Sequence, residues 1–157
     1  MKIRNKETGL IILSTLLWIT VMISGWKGQW YFGLFPGLMI MLIYMILGSA
    51  KNGVISKKLL MYPLISWFAT WSIGFYMTQK YALQFQDKVA DFTVLGFHPS
   101  FSFIVLLYWI GGVLTLTLGL NIFKDEWLSE QEWVDFKSKI KAIDDERNMS
   151  HKIKEEA

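Results

Sequence analysis

Charged and uncharged positions in this chain segregate into long blocks instead of alternating. Four blocks carry no Asp, Glu, Lys or Arg: Thr8 to Trp26, Gly28 to Ala50, Leu59 to Gln79 and Phe92 to Phe123. They run to 19, 23, 21 and 32 residues, and a helix needs about 20 apolar residues to cross the hydrocarbon of a bilayer. The first three fit one crossing each. The fourth is too long for one straight helix and holds Gly96 and Pro99 near its start. This predicts an interfacial or re-entrant stretch from Phe92 to Pro99, then a helix from about Ser100 to Phe123. The expected fold is all-α: a polytopic membrane protein with four transmembrane helices in two hairpins, spans near 8–26, 30–50, 59–79 and 100–123. Buried helices of a soluble bundle usually keep a polar stripe, and none of these blocks has a charged one.

Aromatic residues fall where a bilayer boundary would favour them. Trp26, Trp30 and Tyr31 lie between the first two spans, and Tyr76 and Tyr81 mark the far end of the third. Trp67 and Trp71 are one helical turn apart, which reads as a packing or lipid-facing surface. The first span is longer than a signal-peptide core and lacks a small-residue cleavage site near Ile23 to Trp26, so it is expected to be a retained anchor.

Lysine and arginine set the expected orientation. Three precede the first span, three lie between the second and third, and seven begin at Lys124, together thirteen of the sixteen. Lys27, Lys80 and Lys88 alone occupy the other connections. Basic residues near spans stay cytoplasmic, which puts both termini inside and predicts a multi-pass protein of the cell membrane. The loop after Lys80 carries Asp87 and Asp91, two carboxylates ordinary for a solvated outer loop.

Composition narrows the function classes. Of the 157 residues, 53% are hydrophobic and 18% charged, with mean hydropathy +0.34, against about 25% charged in a soluble domain. The formal charge of +3 forms no basic stripe, so no nucleic-acid partner is expected. No cysteine is present, which removes disulfides, thiol redox chemistry and thiolate metal sites. Ion-coupled carriers generally use an ionisable residue within a span, and these spans have none; the fourth block holds only His98. Paired histidines for haem are missing too. No cofactor, metal or catalytic pair is expected, and the chain is not expected to be an enzyme. His98, just before Pro99 at an outer boundary, is more simply structural than a proton acceptor or ligand.

Two stretches share a pattern. Gly33 and Pro36 precede Tyr44, and Gly96 and Pro99 precede Tyr108, each opening the second helix of a hairpin. Pro suits a helix's first turn, where its missing N–H would be unpaired. Leu95-Gly96-Phe97-His98-Pro99-Ser100-Phe101, with Phe32-Gly33-Leu34-Phe35-Pro36 as its counterpart, resembles the small two-helix subunits that accompany bacterial sodium:solute symporters. The chain departs from that pattern in having four spans and a long tail. The resemblance implies an accessory role beside a larger membrane transporter, with Gly33, Pro36, Gly96, His98 and Pro99 as candidate partner-interface residues. Gly111 and Gly112 join them, because small residues permit close helix approach, though contact within the bundle explains them equally well.

Composition changes abruptly after Phe123, so residues 1–123 read as the membrane domain and 124–157 as a cytoplasmic tail. Ser129 with Glu132 matches a capping box, flanked by Leu128 and Trp133 as a staple. Trp133, Phe136, Ile140 and Ile143 recur at three and four residues, predicting an amphipathic helix over about 130–143 and a frayed, polar end beyond Asp144. That stripe needs cover, either from the inner leaflet or, preferably given ten acidic against seven basic tail residues, from a protein. The expected partners are the lipid bilayer and a larger transporter subunit. Two alternatives are a self-sufficient homo-oligomeric transporter or channel, and an assembly factor for a membrane complex.

Overall fold

The computed structural model describes residues 6–51 and 53–155; Lys2 and Arg4 of the orientation argument lie outside them. It is all-helical, with no strand among the described residues. Three helices are long and apolar enough to cross a membrane: α1 (Glu7–Trp26), α2 (Trp30–Gly48) and α4 (Pro99–Ile122). Between α2 and α4 runs a continuous helical segment, α3, residues 57–84. It is long enough to cross but less apolar, because Tyr62, Ser66, Trp67, Thr70, Trp71 and Ser72 put polar edges along it. The chain divides into two compact units, Met1–Phe123 and Lys124–Ala157.

Three hydroxyls of α1 are satisfied locally, as a medium without water demands. Ser14, Thr15 and Thr20 donate to the carbonyls of Leu10, Ile11 and Leu16, four residues back, at 2.9, 3.1 and 3.0 Å. The outward faces are apolar and exposed, among them Ile11, Leu16, Trp18, Ile19 and Met22 of α1. A contiguous surface of that kind is rare on soluble monomers and normal against lipid.

α1 packs on α2 and α3 on α4, giving two antiparallel hairpins. The hairpins join at one end, where buried Ile55, Leu59 and Leu64 meet Leu42, Met45 and Ile46 of α2, Leu116 and Leu120 of α4, and Phe123 just after it. Within the second hairpin, close approach of α3 and α4 at this end depends on Gly119. A Cβ added to it would lie 2.8 Å from Pro63 Cβ and 3.0 Å from Tyr62 Cδ1.

α3 and α4 are widened by π-helical turns at Leu60–Ile65, Ile104–Ile110 and Val113–Thr117. Pro63 sits in the first, where its missing N–H disrupts the regular ladder. Tyr62 donates its hydroxyl to the Leu114 carbonyl in the third at 3.2 Å. The two widened turns are thus tied to each other.

The 92–99 segment is a tight turn. Val94 and Phe97 exchange both backbone hydrogen bonds at 3.1 Å across Leu95 (φ 55°) and Gly96 (φ 78°), the signs of a type I′ turn. Pro99 is the first residue of α4, as its fixed φ suits. Pro36 differs from that expectation. It lies inside α2, whose first turn begins at Trp30, and Gly33 is helical rather than in a turn. The two Gly/Pro motifs therefore do different local jobs, because α2 starts directly after the short Lys27–Gln29 connection.

In the second unit, α5 (Lys124–Trp127) precedes α6 (Glu130–Glu155). The capping box is formed. Ser129 donates its backbone N–H and its hydroxyl to Glu132 Oε2 at 2.7 and 2.8 Å, and the Glu132 N–H donates to Ser129 Oγ at 3.4 Å. α6 continues well beyond Ile143, where a frayed end was expected. Asp144, Asp145, Glu146 and Arg147 are polar, yet nothing in that stretch breaks a helix: it holds no Pro or Gly, and Glu and Arg are good helix formers.

Candidate functional site: an apolar cleft between the hairpins

Away from their junction the hairpins part. α2 is the inner wall of one and α3 of the other, and a cleft of about 440 Å³ opens between them. Trp18 and Val21 of α1 and Gly33, Leu34, Gly37 and Met41 of α2 line one side; Trp71, Phe75 and Tyr108 close the other. That volume lies in the range of small-molecule and side-chain pockets, about 300–1,000 Å³.

The aromatic wall is built by register. Trp67, Trp71 and Phe75 follow one another at four-residue intervals on α3, with ring centroids 4.6 Å apart for the first pair and 6.2 Å for the second. Tyr108 of α4 lies over Trp71 at 3.8 Å and 30° and reaches Phe75 at 5.9 Å. These rings meet because α4 offers no side chain at Gly112, where an added Cβ would come within 3.1 Å of Trp71 Nε1. Gly111 faces Thr70 in the same manner at 3.5 Å, and Gly74 of α3 faces Leu107 at 3.2 Å. Gly111 and Gly112 thus serve contact within the second hairpin.

The facing wall is open. Gly33 and Gly37 are one turn apart; Gly33 meets Ser24 at 3.5 Å, whereas a Cβ on Gly37 would meet nothing within 4 Å. Among the described residues no charged side chain lines the cleft. Along α3, Trp67 Nε1, Trp71 Nε1, Ser72 Oγ and Gln79 Oε1 are buried without a hydrogen-bond partner among the described residues. Such groups are costly in an apolar setting.

The remaining candidates are elsewhere. Gly96, His98 and Pro99 form the turn into α4 and take no part in the cleft. His98 caps that helix: the Ser100 N–H donates to its Nδ1 at 3.3 Å, and Ser100 Oγ lies 2.8 Å from the same nitrogen. Its ring also meets Phe85 edge-on at 5.7 Å. Trp133, Phe136, Ile140 and Ile143 lie along α6 in the second unit, each roughly half exposed. Among the described residues no cluster of three His, Cys, Asp or Glu could hold a metal ion. Sequence reasoning missed Gly37, Trp18 and Tyr108 as cleft residues. The Gly33–Gly37 spacing and the 67–71–75 aromatic run were the signals available, but neither reveals which helix each will face.

No family model, curated protein or solved structure matches this chain.

Proposed function

We propose that this chain is a small, non-catalytic accessory subunit of a larger membrane transporter of the sodium:solute symporter type, held in the cell membrane by four spans with both termini cytoplasmic. The observation that carries the reading is the open, uncharged cleft with Gly37 on its rim. It offers no charged side chain to couple an ion or perform chemistry, while Gly37, at which a Cβ would meet nothing within 4 Å, lets another helix approach closely. The motif around Gly96 and Pro99, similar to that of symporter companion subunits, points to the same class of partner. α3 serves as the fourth span: residues 59–79 are free of charge, with Lys57 and Lys58 before them and Lys80 after.

The test is purification of the tagged chain from its native membranes in mild detergent, with identification of what accompanies it. A larger polytopic transporter is the expected companion. Gly37→Leu, which has room in the chain's own fold, should lose that companion while the chain stays inserted. Recovery of the chain alone, or undiminished recovery with Gly37→Leu, contradicts the proposal. The rival, a self-sufficient homo-oligomeric transporter, draws on the unpaired Ser72 and Gln79 atoms. Solute or ion flux through liposomes holding only this chain would decide for it.

A further inference from the structure

The exposed stripe of α6 has a definite charge pattern beside it. Setting Trp133, Phe136, Ile140 and Ile143 at the a, d, a and d positions of two heptads places Glu132, Lys139 and Glu146 at g. Glu130, Lys137 and Asp144 then fall at e. Both flanks read negative, positive, negative along the axis, in the same order. The seam is largely open: Trp133, Phe136, Ile140 and Ile143 are 42, 51, 43 and 58% exposed. Their rings are already arranged side by side, with Trp133 and Phe136 5.7 Å apart at 16° and the Lys137 ammonium 5.4 Å from the Trp133 ring centre.

We infer that α6 pairs in parallel and in register with α6 of a second copy of this chain. A parallel two-stranded coil brings each g residue against the following e residue of its partner. Here that sets Glu132 against Lys137 and Lys139 against Asp144, opposite charges on both sides of the seam. Glu132 is engaged by the Ser129 cap, so the Lys139–Asp144 pair carries more of the selectivity. An antiparallel arrangement that matched Trp133 with Ile143 would oppose Lys139 to Lys139 and Lys137 to Lys137, which repels. A lipid surface gives no account of the alternation. Anionic headgroups would also be opposed by the acidic residues of both flanks.

Two apolar heptads are too short to associate strongly in free solution, where short helices are marginal. Copies inserted in one membrane with one orientation are a different case. Parallel alignment is then imposed in advance, and confinement raises the effective concentration of each helix for the next. The pairing goes beyond the accessory-subunit reading and involves another part of the chain, so the two fail independently.

The chain has no cysteine, and a single introduced one therefore reports without background. Ile143→Cys in the full chain, in native membranes under mild oxidation, should give a disulfide-linked homodimer. Ser138→Cys, on the outer face of the same helix, should not. Lys139→Asp added to Ile143→Cys should lower dimer formation several-fold, and Asp144→Lys in the same chain should restore it. An Ile143→Cys chain that stays monomeric overturns the inference, as does one that crosslinks to a different protein. Equal dimer from Ser138→Cys, or no rescue by the charge exchange, also overturns it.

Discussion

Single residues decide how closely the helices come together and how sharply the chain turns between them. Leu95 is held at φ 55°, a conformation that costs a residue with a Cβ about 1–2 kcal/mol. Leu95→Asn should relieve part of that cost, because Asn tolerates left-handed backbone and suits a type I′ turn. The expected gain is about 1 kcal/mol, measured as reversible unfolding in mixed detergent. Next to the turn, buried Ser102 donates to the Val94 carbonyl at 2.9 Å and lies 3.1 Å from that of His98. Gly119→Ala forces a methyl against the rigid Pro63 ring and should cost about 1–3 kcal/mol in the same assay. Unchanged stability would mean that α3 and α4 do not meet there. Of these features Pro99 could be read from the sequence, because a proline at a helix start has one local meaning. The role of Gly119 could not, since its partner Pro63 is 56 positions away in the chain and nothing local connects them.

At the scale of whole elements the charge-free blocks translated directly into α1, α2 and α4, because length and apolar content alone qualify a helix to cross a bilayer. α3 shows where that reasoning weakens. Its tryptophans, tyrosines and hydroxyl residues make it less apolar, yet in the fold they form the aromatic wall and the contacts with α4. The start of α6 was equally legible, through Ser129 and Glu132. Its end was missed, because polar composition was read as fraying where only a helix breaker would end the run. Ser129→Ala should cost the tail helix about 1 kcal/mol, seen as reduced helicity of the tail by hydrogen exchange at the first turn of α6. Retained protection there would show that the cap contributes nothing. Lys124 donates to Glu130 Oε1 at 3.0 Å, and this hydrogen bond, with the charges of Glu130 and Asp125, raises its pKa above the ordinary lysine value of 10.5. A raised pKa gives stabilisation that is complete below the ordinary value and disappears as pH climbs through the raised one. Tail order should therefore be constant from neutral pH to about 9 as far as this pair is concerned. A loss in that interval would have to come from another group.

For the membrane unit as a whole, the consequence of these choices is a pair of hairpins closed at one end by Ile55, Leu59 and Leu64 and parted along α2 and α3. Block lengths marked out the three helices apolar enough to cross a membrane, but not that the hairpins would separate. The wall of the second hairpin is set by side chains that meet only in three dimensions: Gly119 of α4 admits Pro63 of α3, and Trp71 and Tyr108 stack on their own side, while a Cβ on Gly37 across the cleft would meet nothing within 4 Å. The proposed occupant of that space is a transporter helix. The most direct test is site-specific photocrosslinking in native membranes from a probe at position 41. Met41 lines the cleft and is partly exposed. One dominant adduct is expected, to a larger polytopic transporter, and it is lost with Gly37→Leu. Adducts only to lipid or to a second copy of the chain would contradict it.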